Sequence, residues 1–136
     1  MTVRRDVWFW LLVLFAATSA ANAGWMLVDP QRWYHDLPAA VPDTGPYNEH
    51  FAVDAGAGLL ATSVLLLVAA VWFERRVVQL ALIGWLAFAI PHTTYHLISL
   101  DKLETGDAVA NVITLGATVL LPIALLWMTR EEVPAA

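Results

Sequence analysis

The stretch from His50 to Phe73 reads HFAVDAGAGLLATSVLLLVAAVWF and decides the fold. A helix needs about 20 mostly apolar residues to cross a hydrocarbon core roughly 30 Å thick, at a rise of about 1.5 Å per residue. This stretch meets that length. It carries one acid, Asp54, and stops at Glu74-Arg75-Arg76. Three further stretches meet the same test: Val7 to about Val28, Val77 to about Leu100, and Ala108 to about Met128. Asp29-Pro30, the Pro42–Pro46 cluster and the segment from Asp101 to Asp107 separate them.

The composition agrees. The chain has 136 residues, 60% of them hydrophobic and 14% charged, with a mean hydropathy of +0.65. Soluble domains carry roughly 45–50% apolar and about 25% charged residues. Lys and Arg total 7 against 12 Asp and Glu, which excludes a nucleic-acid binder working through a basic surface. The chain has no Cys, which excludes disulfides, thiolate metal sites, Cys nucleophiles and iron–sulfur clusters. No hydrolase nucleophile elbow, phosphate-binding glycine loop, HExxH motif or N-glycosylation site is present. The expected fold class is all-α: one transmembrane domain over residues 1–136, a four-helix bundle running up-down-up-down. Its single long connection, 29–49, holds Pro30, Pro38, Pro42 and Pro46, which forbid a long helix and predict a rigid folded cap. Pro46 suits the first turn of the second span, with Thr44 as its cap. Trp33 and Tyr34 suit an anchor at headgroup level.

Charge sets the expected orientation. Arg4, Arg5, Arg75, Arg76 and Arg130 fall on one side, Arg32 and Lys102 on the other. The positive-inside rule then places both termini in the cytoplasm. The outer side gathers Asp29, Asp36, Asp43, Glu49, Asp54, Asp101, Glu104 and Asp107, an excess of acid that favours cations. A rival reads Arg4-Arg5, the run Val7–Ala17 and the small residues up to Ala23 as a secretory signal. Against it, the apolar stretch continues through Trp25, Met26, Leu27 and Val28.

Polar residues in the spans concentrate in their outer halves. His50 and Asp54 are one turn apart on one helical face, as are His92 and His96. The very short connection at 74–76 makes the second and third spans an antiparallel hairpin, so both pairs lie at one depth. Three imidazoles and a carboxylate would suit Zn, Cu or Fe, and Glu49, Tyr95, His35 and Asn111 are candidates to orient those ligands. Two alternatives remain open. One is a metal-free polar pocket, including a pH-sensing one. The other is a hydrogen-bonded network that only locks helices together. The stripe Asp54, Gly58, Thr62 predicts close helix packing. Pro91 and Pro122 predict freed carbonyls at Ala87 and Thr118. Trp8, Trp10, Trp72, Trp85 and Trp127 predict an inner aromatic belt, with Trp25 and Trp33 in the outer one.

The run Pro46-Tyr47-Asn48-Glu49-His50-Phe51-Ala52-Val53-Asp54-Ala55-Gly56-Ala57, with Pro91-His92-Thr93-Thr94-Tyr95-His96, resembles small bacterial four-span proteins grouped as DoxX-like. The likeness covers roughly residues 46–100. It implies the four-span fold and implies that His50, Asp54, His92 and His96 belong together; it supplies no reaction. The long Pro-rich loop departs from that family's usual layout. Three functions follow as expectations. The first is a binding or redox-accessory membrane protein that holds a transition metal. The second is an enzyme acting on a lipophilic small molecule by His/Asp acid–base chemistry. The third is a structural subunit of a larger membrane complex, with its polar face docked on a partner; a homo-oligomer is a separate expectation. The lipid bilayer is the surrounding partner in each case.

Overall fold

The computed structural model describes residues 7–129, without the side chain of Trp8. The charges at Arg4, Arg5, Asp6, Arg130, Glu131 and Glu132, and the Trp8 ring, therefore lie outside the described residues. Among the described residues six α-helices follow in order: α1 (Val7–Val28), α2 (Pro30–Asp36), α3 (Val41–Thr44), α4 (Glu49–Trp72), α5 (Arg75–Leu97) and α6 (Thr105–Met128). A single 3-10 turn, Leu100–Lys102, stands between α5 and α6. No strand occurs among the described residues. Helices α1, α4, α5 and α6 are long and apolar enough to cross a membrane.

The boundaries differ from expectation where a cap chooses them. Helix α4 begins at Glu49, because the Asn48 side chain accepts the Phe51 backbone N–H at 3.1 Å. Thr44 instead closes α3. The Pro-rich connection does fold into a cap, made of α2 and α3. Pro30 occupies the first position of α2, and the Asp29 carboxylate accepts the Arg32 N–H. Phe73 ends α4 in the left-handed region (φ 46°), a costly conformation for a residue with a Cβ. Its side chain is buried, and its ring meets that of Phe9 edge-on at 5.0 Å. Packing holds that turn where glycine is usual.

The most extensive packing is between α1 and α4, followed by α5 on α6 and then α4 on α5. The core runs through Leu12, Ala16, Leu59, Leu66, Leu82, Trp85 and Leu125. Close approach between α1 and α4 depends on Gly56: a Cβ there would lie 2.8 Å from the Met26 Cβ. Around Gly58, by contrast, nothing lies within 4 Å. The expected stripe Asp54-Gly58-Thr62 is therefore not the packing seam within the chain. Gly56 and the buried Ala52, Leu59 and Ser63 form it, on the opposite side of the helix.

The cap is tied to three long helices. Trp33 donates its indole N–H to Asn22 of α1 at 2.9 Å. The Tyr95 hydroxyl of α5 donates to the Thr44 carbonyl at 3.5 Å, and the Asn111 amide of α6 to the Ala39 carbonyl at 3.3 Å. Trp33 and Tyr34 thus act as internal pins, Tyr34 donating to the Gly45 carbonyl at 2.6 Å. Trp33→Phe is expected to cost about 1 kcal/mol through the lost hydrogen bond. Faster amide exchange over residues 30–48, with the long helices unchanged, would register it.

Candidate functional site

The His50 imidazole and the Asp54 carboxylate meet across one turn of α4, Nε2 to Oδ2 at 3.3 Å. Their side chains are 89% and 67% exposed. Ala57, Gly58, Ala61 and Leu65 follow on the same exposed side of α4. Glu49 is exposed too, in the first turn of α4, where a negative charge complements the helix dipole.

His92 and His96 sit near the end of α5, one turn apart. Their ring centres are 4.7 Å apart at 63°. The Phe88 ring stacks on His92 at 5.2 Å and 16°, continuing the column. Helical spacing puts this column on the side of α5 that carries the buried Trp85 and Ala89. His92 keeps an accessible surface there, whereas His96 is half-buried and its Nδ1 is buried without a hydrogen-bond partner. Tyr95, at 51% exposure, turns away to Thr44.

The four expected ligands do not assemble into one shell. Among the described residues no group of three or more His, Asp or Glu side chains gathers so as to hold a metal ion. The reason is helical phase. Residues 50 and 54 fall on the side of α4 opposite Ala52, Gly56, Leu59 and Ser63, the residues it buries. His92 and His96 share a helix side with residues that α5 buries. His35 lies on the exposed surface of α2 beside the Tyr34 ring and joins neither pair. Asn111 is buried as a strut, its amide donating to the Asp107 and Ala39 carbonyls.

For two groups the sequence pattern alone does not give the role. Tyr47 has a buried hydroxyl without a hydrogen-bond partner, and its ring leans on Tyr34 at 5.2 Å. Burial, and then the charges of Glu49 and Asp29, push its phenol above the usual tyrosine range. Its place between Pro46 and Asn48 in the motif that opens α4 was the available signal. Trp85 is the other. Its position predicts the inner belt, yet it is 3% exposed and donates its indole N–H to the Thr118 carbonyl at 2.9 Å. That carbonyl is the one Pro122 frees. Trp10, Trp72 and Trp127 are exposed, as a belt requires.

Two apolar grooves lie beside α6, one bounded by Leu120, Ile123 and Trp127, the other by Leu100, Leu103 and Val112. Neither is lined by a His or an Asp. No protein-family model, curated protein or solved structure matches the chain.

Proposed function

We propose that the protein is a multi-pass subunit of a bacterial inner-membrane assembly. Its spans run up-down-up-down with both termini cytoplasmic, and it assembles by docking the exposed side of α4 against α4 of a second copy. The observation that carries this reading is the sequence of groups along that side: the His50–Asp54 pair, then Ala57, Gly58 and Ala61, all exposed. An ionisable group within a membrane-spanning helix is costly and normally faces protein or water. Small residues below it let a second backbone come close. The exposed side of α6 is different in kind. It presents Val109, Ile113, Leu120, Ile123 and Trp127, bulky groups that lipid chains cover without cost.

A second copy is the fitting occupant because the pair is self-complementary. About a two-fold axis, His50 of each copy meets Asp54 of the other, so both His–Asp contacts exchange partners. The Arg75-Arg76 turn, opposite the acid-rich cap, supports the orientation. Acid–base chemistry on a lipophilic molecule draws less support, because Asp54 orients His50 on the outer side of α4 and not His92 or His96.

The chain has no Cys, so single engineered ones report cleanly. Ala61→Cys is expected to give a disulfide-linked dimer in native membranes under mild oxidation, and Leu120→Cys on α6 is expected to stay monomeric. Equal cross-linking at both positions would overturn the reading. So would a monomer by light scattering in mild detergent together with no cross-link at Ala61→Cys.

A further inference from the structure

His50 has Asp54 as a partner; His92 and His96 have none. Among the described residues, no side-chain hydrogen bond or ion pair involves either imidazole, and the His96 Nδ1 is buried without a partner. Buried polar groups nearly always have one, so an orphaned ring nitrogen calls for an explanation. The polar neighbours are committed elsewhere. The Thr94 hydroxyl donates to the Ile90 carbonyl at 2.8 Å, the Thr93 hydroxyl to Leu115 at 3.5 Å, and the Tyr95 hydroxyl to Thr44 at 3.5 Å. What remains uncommitted is the pair of rings itself.

The spacing of those rings suits one shared ligand. An imidazole nitrogen binds a late first-row metal ion at about 2.0–2.1 Å, which places the ring centre about 3.2 Å from the ion. Two such rings are then about 4.5 Å apart for a right-angled ligand pair and about 5.2 Å apart for a tetrahedral one. The observed 4.7 Å lies between. Phe88 stacked on His92 restrains that ring's rotation, and four-residue spacing on a continuous helix restrains both Cβ positions. The accessible surface of His92 leaves room for water at the remaining coordination positions.

We propose that His92 and His96 form a two-imidazole clip that binds one copper(II) or zinc(II) ion at the cap end of α5, with solvent completing the coordination. Imidazole suits both ions, and the order of divalent affinities favours copper(II). The clip is independent of the α4 contact: it uses neither His50 nor Asp54 and requires no second copy.

The test is a titration of the purified full-length chain in detergent with copper(II) sulfate, followed by calorimetry and electron paramagnetic resonance. One tight equivalent per chain and hyperfine coupling to two nitrogens are expected. The double variant His92→Ala/His96→Ala is expected to lose that site, while His35→Ala/His50→Ala is expected to keep it. Helix content by circular dichroism checks that each variant is folded. If the double variant fails to fold, His96→Asn alone decides, since it is expected to reduce the coupling to one nitrogen. Unchanged copper binding in the folded double variant overturns the clip. Loss of the tight site in His35→Ala/His50→Ala overturns it too, as does unchanged two-nitrogen coupling in His96→Asn.

Discussion

Trp85→Ala is expected to be the most damaging single substitution, lowering stability by about 3 kcal/mol or more. The indole joins three helices. It belongs to α5, meets the Phe15 ring of α1 edge-on at 4.6 Å, and donates to the Thr118 carbonyl of α6 at 2.9 Å. In a bilayer, lost water-to-oil transfer contributes little, because lipid is as apolar as the core. The cost comes from the cavity and from the stranded carbonyl. Trp85→Phe separates the two: it keeps most of the volume and removes only the N–H, for about 1–3 kcal/mol. Pro122→Ala should then rescue Trp85→Phe in part, since the backbone N–H gained at position 122 reaches the same Thr118 carbonyl four residues back. Unfolding in mixed detergent micelles, run as a double-mutant cycle, measures all three. Additive losses in the cycle would show that the carbonyl is satisfied some other way.

Gly56→Val is expected to weaken the α1–α4 seam by about 1–3 kcal/mol through overpacking. The first atom added would stand 2.8 Å from the Met26 Cβ, close to main chain, so rotating a side chain cannot relieve it. Leu27 adds a further contact at 3.4 Å. Gly58→Val offers the matched control two residues later. A Cβ at position 58 would meet no neighbouring group within 4 Å, and any residue but Pro propagates a helix better than Gly, by about 0.5–1 kcal/mol for the best formers. The single chain should therefore tolerate it. The dimer should not, because the new branches fill the space that α4 of a second copy needs. A drop in thermal stability for Gly56→Val, against a drop only in Ala61→Cys cross-linking for Gly58→Val, is the expected pattern. Equal losses of stability would place both glycines in one seam.

The contrast between those glycines shows what the sequence could carry. The four spans were legible because length and apolar content alone define them, and α1 runs over Val7–Val28 as expected. Their starts were less so. A cap such as Asn48 is one hydrogen bond, and Thr44 looked as good on residue type. The two i,i+4 pairs were legible for the same geometric reason as any helical pair. Which way each pair points was not. Helix α4 is apolar nearly all round, so its pattern does not mark a buried side, and its packing against neighbouring helices, closest to α1 at Gly56, sets the phase. A shared depth for two pairs is thus a weaker condition than a shared site. The Pro122–Thr118–Trp85 connection was half legible: the freed carbonyl follows from proline chemistry, its donor only from the fold.

Helix α6 is laterally exposed along much of its length, yet cross-ties hold it at successive heights. Asn111 reaches the cap, Thr93 reaches Leu115, Trp85 reaches Thr118, and Gln79 donates to the Thr129 carbonyl at 2.9 Å. A slip of α6 by one turn, about 5.4 Å, would break every one of them together. The last span is therefore keyed against piston motion although little encloses it. In a bilayer thinner or thicker than its hydrophobic length, α6 cannot adjust alone, and the mismatch must be met by tilting the whole body or by deforming the lipid around it.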